Sequence, residues 1–280
     1  MAIKNLQTNV LIIASKFVIL FHYFYYTAIL ISYHMNEMSK KELPFVSICT
    51  PTYNRAHMLD AWARYIFLQD YPKDRMEVLV ADDSTDNTLE KLEELRERLP
   101  NLRVFNFEGR SGNGIKRQWL IERAAGDILV HFDDDDYYSP HRVSHAVESL
   151  QNSDKLIAGC TMLYIWHVKE QVLTKSGPFH QNHATNATFA YKKEYAEHNR
   201  FADVNQQTEP SFTNNFTNPM IQLDSLKTMV CIKHNQNTVN KQIRNVITKD
   251  LSKVISDPIA LALYTKKSTS FSFSFFNQIS

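Results

Sequence analysis

From residue 43 onward, short apolar runs rich in β-branched residues alternate with stretches whose apolar positions recur at helical spacing. Residues 45–50 read as a strand broken by Pro51. Residues 57–69 read as a helix, with Met58, Ala61, Tyr65 and Leu68 on one face. A second strand is predicted over 76–81, ending in Asp82 and Asp83. Asn87, with Glu90 three residues on, has the form of a capping box for a helix carrying Leu89, Leu92, Leu95 and Leu99, which Pro100 stops. A third strand over 102–107 and a third helix over 115–125 follow, with Gly126 expected just past the helix end. The apolar run Gly126-Asp127-Ile128-Leu129-Val130 then leads into His131 and four aspartates, Asp133, Asp134, Asp135 and Asp136. Strand and helix alternating in units of this size imply an α/β fold with a mostly parallel sheet flanked by helices.

The second half alternates less regularly. Residues 156–168 read as β-rich, residues 172–179 as a hairpin partner, 187–198 as helix, 219–223 and 229–232 as short strands, and 246–263 as helix. The chain thus divides into an N-terminal segment 1–42, a domain 43–240 (halves 43–145 and 146–240), and a C-terminal segment 241–280 ending in a Ser/Phe-rich tail. Residues 9–33 are almost continuously apolar and long enough to cross a bilayer as a helix, interrupted by Lys16 and His22. A lysine at the centre of such a helix costs about 2.5–3.5 kcal/mol, so Lys16 would have to snorkel. Two readings stand: an uncleaved anchor with the body on the cytoplasmic side, or an extension upstream of translation starting at Met35 or Met38.

With 44% hydrophobic and 22% charged residues, the chain can bury a substantial core, which excludes disorder for most of its length. A net charge of +1 supplies no field for nucleic acid. Three well-separated cysteines, Cys49, Cys160 and Cys231, form no metal-ligand spacing and fit a reducing compartment.

The candidate chemistry lies at the strand ends. Four adjacent aspartates repel one another unless a cation intervenes, and a hard divalent ion with oxygen ligands serves that purpose; an acidic turn in solvent is the plainer alternative. If the strands ending in Asp82-Asp83 and in the aspartate run are neighbours, they border one crevice at the carboxyl edge of the sheet, where ligands of open α/β sheets bind. Lys116 and Arg117 at its rim suit a nucleoside diphosphate. No glycine-rich phosphate loop occurs, so metal and cations must hold the phosphates.

Val46-Ser47-Ile48-Cys49-Thr50-Pro51-Thr52-Tyr53-Asn54-Arg55, Val80-Ala81-Asp82-Asp83-Ser84, and Gly126-Asp127 through Asp133-Asp134-Asp135-Asp136, in that order and spacing, resemble family 2 glycosyltransferases of the GT-A fold. The resemblance implies that Thr50, Pro51, Tyr53, Asp83, Lys116, Arg117, Asp133 and Asp134 bind a nucleotide sugar. It implies an Asp-x-Asp metal motif, Asp133-x-Asp135, with Asp135 the direct ligand and His234 a late third one; manganese is favoured over magnesium once imidazole is a ligand. Glu209 stands where relatives carry an acidic pair followed by phenylalanine, and is the candidate base; here the segment reads Thr208-Glu209-Pro210. The implied activity is inverting transfer of a single sugar, with UDP the expected nucleotide, to a glycan, glycoprotein or glycolipid hydroxyl. The rivals are a membrane-tethered module that binds a nucleotide sugar without turnover, and a nucleotidyltransferase.

Overall fold

The computed structural model describes residues 43–235, 237 and 243–265. The apolar stretch 9–33 and the tail beyond residue 265 lie outside the described residues. Among the described residues, no helix is long and apolar enough to cross a membrane.

The first half follows the predicted alternation. Strand β1 (Val46–Thr52) is followed by α1 (Leu59–Phe67), β2 (Met76–Asp82) by α2 (Thr88–Leu95), β3 (Leu102–Asn106) by α3 (Asn113–Arg123), and then comes β4 (Ile128–His131). Every residue of β1, β2 and β4 is buried, as in a parallel sheet covered on both faces. The edge strand β3 is largely half-buried or exposed. The pairings β4-β1-β2-β3 are all parallel, with Thr52 opposite Asp82 and Cys49 opposite His131. The two acidic strand ends are therefore not neighbours; they flank β1, and all three strands deliver their carboxyl ends to one edge.

The remaining elements are β5 (Tyr137–Tyr138), α4 (Arg142–Gln151), β6 (Ile157–Gly159), β7 (Leu163–His167), β8 (Val172–Ser176), β9 (Ala190–Lys192), α5 (Lys193–His198), α6 (Glu209–Phe212), β10 (Met220–Gln222), α7 (Ser225–Thr228), β11 (Met229–Lys233), β12 (Val246–Thr248) and α8 (Pro258–Thr265). The main sheet runs β10-β6-β9-β4-β1-β2-β3 and a second sheet β12-β8-β7-β11-β5. The β7-β8 hairpin forms as expected, antiparallel with Leu163 opposite Ser176.

Several local expectations change. The segment 187–198 opens as a 3-10 turn (Asn186–Thr188) and the antiparallel strand β9, and only then becomes helix. Helical spacing is overridden because Ala190 and Tyr191 are fully buried between β4 and β6. The segment 246–263 begins as β12, paired with β8, and its helix starts only at Pro258, a residue suited to the first turn, where the Asp257 carboxylate accepts from Ile259 N at 2.9 Å. The α2 cap is made by Asp86, whose Oδ1 accepts from Thr88 N at 3.0 Å, while Asn87 makes no side-chain cap. Gly126 does not terminate α3, since the chain already leaves the helix at Ala124 with extended geometry. It is small because a Cβ there would lie 2.5 Å from Ser47 N and 2.7 Å from Ser47 Oγ.

Replacing Gly126 with alanine must therefore push β1 from the segment leading into β4, the two strands that carry the site. The expected cost is about 1–3 kcal/mol, the usual range for overpacking a tight interior. Urea denaturation of Gly126→Ala against wild type checks this.

Candidate active site

The carboxyl ends of β1 and β2 are tied together before any ligand arrives. Asn54, in left-handed backbone with φ 52°, donates its N–H to Ser84 Oγ at 2.7 Å, and its Oδ1 accepts from Thr85 N at 2.8 Å. Asp83, buried, accepts from Lys116 Nζ at 2.6 Å, from Arg110 Nη1 at 2.9 Å and from Ser111 N at 2.7 Å. Lys116 Nζ also donates to the Thr52 carbonyl at 2.7 Å. Burial pulls the Lys116 ammonium below the usual lysine range, and Asp83 opposes that shift. The Arg110 guanidinium carbon lies over Tyr53, 3.5 Å from the ring centroid, and both residues line the cleft. Asp82 turns away from this knot and caps its own loop through Ser84 N at 3.0 Å.

The four aspartates have four separate environments. Asp133 Oδ1 accepts from Arg117 Nη2 at 2.7 Å, and its N–H donates to Tyr138 Oη at 2.7 Å. Asp134 is buried and accepts from Thr52 Oγ1 at 2.6 Å; burial, reinforced by Asp135, pushes its carboxyl up to about 7. Asp135 Oδ2 lies 3.1 Å from His234 Nε2, 3.3 Å from Asn237 Nδ2 and 3.5 Å from Arg55 Nη2. Asp136 points into the domain and accepts from Ile232 N at 2.8 Å.

Glu209, at the start of α6, is half-buried and is held by Asn186 N, which donates to its Oε1 at 3.1 Å. The Asn186 side-chain amide meets Thr208 Oγ1. Behind it, buried His131 lies 3.1 Å from Arg117 Nη1 through Nδ1 and 3.0 Å from Tyr191 Oη through Nε2. Burial first, then the Arg117 and Arg142 charges, hold His131 well below the usual histidine range, so the ring is neutral.

Two clefts meet here. One, of about 510 Å³, is lined by Pro51, Tyr53, Arg110, Lys116 and the aspartate run from Asp133 to Asp135. The other, of about 660 Å³, shares Asn113, Arg117, Asp133 and Asp135 with it and extends to Glu209. Of the residues singled out from sequence, Pro51, Tyr53, Lys116, Arg117, Asp133, Asp134 and Asp135 converge on the first cleft, Glu209 stands on the second, and Asp83 holds Lys116 and Arg110 from below. Thr50 does not line either: it is fully buried two residues inside the sheet, and its hydroxyl accepts from Trp62 Nε1 at 3.1 Å. The residue at the edge is Thr52. Arg55, Asn113, Asn186 and Asn237 were not foreseen. Arg55 belongs to the same motif as Tyr53 and Asn237 follows His234 by three, but Asn113 and Asn186 carry no sequence signal.

The donor set bears on a divalent ion. Asp135 Oδ2 and His234 Nε2, 3.1 Å apart, are an oxygen and a nitrogen donor that would hold such an ion together. Among the described residues no three His, Cys, Asp or Glu side chains converge to hold a metal, and Asp133 is turned onto Arg117. Asp135 and His234 are therefore the two groups of this chain that would hold such an ion.

A parallel sheet with its acidic strand ends gathered at one edge, extended by the antiparallel β9 and followed by α6 with Glu209, is the arrangement of a GT-A fold. The chain belongs to Glycosyl transferase family 2, whose sequence profile matches residues 47–229. It is 35% identical over 115 residues to the poly(ribitol-phosphate) beta-N-acetylglucosaminyltransferase TarS of Staphylococcus aureus, covering 40% of this chain and 20% of that protein. It is 36% identical over 101 residues to the glycosyltransferase AglE of Haloferax volcanii, covering 36% of this chain and 33% of that one. The matches thus span well under half the length of either relative. Among solved structures, S. aureus TarS residues 1–349 in complex with UDP-GlcNAc aligns with TM-score 0.55 at 22% identity, over 69% of this chain and 59% of that one. The mannosyltransferase PcManGT of Pyrobaculum calidifontis, in complex with GDP-Man and Mn2+, aligns with TM-score 0.54 at 21% identity, over 69% and 58%.

A neutral buried His131 makes a signed prediction. Below the unfolded histidine value of about 6.5 the unfolded chain binds a proton that the folded chain does not, so stability falls on acidification. Asp134, raised, acts in the opposite sense, so the contribution is read as a difference. Between pH 7.5 and 5.5, His131→Gln should gain about 1.4 kcal/mol relative to wild type, measured by urea denaturation at both values.

Proposed function

We propose that the chain is a metal-dependent, inverting glycosyltransferase that moves one sugar from a nucleoside-diphosphate sugar, a UDP-sugar first among them, to a hydroxyl acceptor. The observation that carries this reading is the junction of two clefts, one with Tyr53, Lys116 and the aspartate run, the other ending on Glu209. In this reading residues 43–145 hold the donor and residues 146–240 the acceptor.

Tyr53 and Arg110 wall the nucleotide, and Asp83 fixes the Lys116 ammonium and the Arg110 guanidinium where the donor enters. Arg117, anchored to Asp133 and His131, puts a cation at the boundary of the two clefts. A divalent ion on Asp135 and His234, manganese in preference to magnesium, would supply Lewis-acid neutralisation of the leaving diphosphate. Glu209, oriented by Asn186 N–H, takes the proton from the acceptor hydroxyl. The hydroxyl oxygen bonds to the anomeric carbon from the face opposite the phosphate. The electron pair of the broken carbon–oxygen bond leaves with the nucleoside diphosphate, and the centre inverts. The ligands bound by the structural relatives, UDP-GlcNAc in TarS and GDP-Man in PcManGT, support a nucleotide-sugar donor.

The test is release of nucleoside diphosphate by the full chain from a panel of UDP- and GDP-sugars, with and without Mn²⁺. Glu209→Gln should lower transfer by about 10²–10⁴-fold, the usual worth of a positioned base, while donor affinity holds. Asp135→Ala should abolish the metal response. Metal-dependent activity that survives Asp135→Ala would sink the assignment of the aspartates, and donor binding without turnover in wild type would favour a non-catalytic binding module.

A further inference from the structure

The cleft that ends on Glu209 has a lining unlike that of the donor side. Six amide residues, Asn113, Asn186, Asn205, Gln206, Gln207 and Asn237, line it, and Arg117 is the one Lys or Arg among its described lining residues. That cation is engaged by Asp133 at 2.7 Å. The remaining charged groups are the carboxylates Asp133, Asp135, Asp136 and Glu209. An amide offers two donors and two acceptor lone pairs, which matches sugar hydroxyls that both donate and accept. A phosphate or carboxylate here would face four carboxylates, with the Arg117 guanidinium already paired to Asp133, a repulsion that a bound diphosphate donor only increases. Asn186 is nine-tenths buried, its N–H is spent on Glu209, and its Oδ1 has no donor among the described residues.

A second, independent feature lies three residues upstream. His183 is stacked against Phe216 at 4.9 Å with planes 21° apart, and meets Phe179 at 4.5 Å. Phe179 is 57% exposed. Phe216 is presented by three consecutive left-handed residues, Asn214, Asn215 and Phe216, with φ of 49°, 53° and 60°. Left-handed backbone at a bulky residue is strained and persists only where the surroundings enforce it. Here the turn is closed by Asn215 N to Pro210 O at 2.7 Å and Thr217 N to Asn214 O at 3.2 Å, so the half-buried ring, packed on His183 and His180, is fixed relative to the segment that carries Glu209. Rings held this way offer the C–H face of a pyranose a flat apolar contact at little entropic cost.

We propose that the acceptor is an uncharged glycan of at least two sugars, its terminal hydroxyl at Glu209 among the amides and its next ring on the Phe179–His183–Phe216 surface. This rests on the transferase reading above and departs from the polyanionic acceptor named for TarS.

The experiment pairs binding with turnover on the full chain. Saturation-transfer NMR with uncharged one- and two-sugar aryl glycosides, and with a ribitol-phosphate oligomer of similar length, reports acceptor binding whether or not transfer occurs. Nucleoside diphosphate release reports transfer. The expected result is binding of the two-sugar glycoside at least roughly tenfold tighter than of the phosphodiester oligomer. Phe216→Ala and Phe179→Ala should each weaken two-sugar binding by about threefold to tenfold, and in turnover raise KM more than they lower kcat. Gln207→Lys, which adds a cation to the lining, should move the preference toward the phosphodiester. Preference of the wild type for the phosphodiester, or two-sugar binding indifferent to both phenylalanine changes, overturns the proposal. Two-sugar binding without release from any donor would uphold it and count against the transferase reading alone.

Discussion

Carboxylates crowd the carboxyl edge of this sheet, and everything built on that edge depends on each of them having a separate partner. Six aspartates, Asp82, Asp83 and the run from Asp133 to Asp136, follow strands that flank β1. A buried carboxylate left without a partner is worth several kcal/mol of destabilisation. The chain avoids this by dividing the partners: Lys116 and Arg110 to Asp83, Arg117 to Asp133, the Thr52 hydroxyl to Asp134, the Ile232 amide to Asp136, and a turn amide to Asp82. Asp135 alone keeps company with a histidine and a side-chain amide at the cleft, and that is where a metal reading finds its donors.

The same division explains why the basic residues of α3 are not a solvated helix face. Lys116 and Arg117 are almost wholly buried at the start of a helix, a costly place for two cations without nearby anions. Asp83 and Asp133 supply those anions, one on each side of β1. Gly114 in the same turn leaves room for the Ala202 carbonyl, which would lie 1.8 Å from a Cβ, so the loop leading to Glu209 packs directly on the helix that carries both cations.

Much of the first half was legible in the sequence because its elements are long, periodic and bounded by Pro, Gly and Asp. The strand ends then follow, and Tyr53, Asp83, Lys116, Arg117 and the aspartate run fall where their spacing puts them. The second half was less legible because its strands are short and their identity is settled by neighbours. Three residues of β9 carry too little pattern to outvote helical spacing, and only their insertion between β4 and β6 makes them a strand. Thr50 and Thr52 have the same residue type and parity, and no local feature says that Trp62 covers the first and leaves the second at the edge. Asn113, Asn186 and Asn237 became site residues through tertiary contacts that a linear pattern does not encode.

How the aspartate run and Glu209 keep a fixed separation is a question of buried polar groups. Asp133 N–H donates to Tyr138 Oη, which donates to the Ala187 carbonyl at 3.2 Å. Arg142, fully buried, donates to the carbonyls of Thr188 and Phe189 at 2.8 Å each, and the Asn186 carbonyl meets His131 at 3.1 Å. Four successive carbonyls of one turn are thus held by side chains from β4, β5 and α4, all adjoining the aspartate run. The N–H that opens this turn is the one on Glu209. A network of this kind is stiff in a low-dielectric interior, since every displaced member leaves a buried polar group unpaired. Glu209 is therefore registered to Asp133, at the head of the aspartate run, through the core of the domain, although α6 itself is a single short turn, and an irregular segment can carry a proposed base in a fixed place beside the donor cleft.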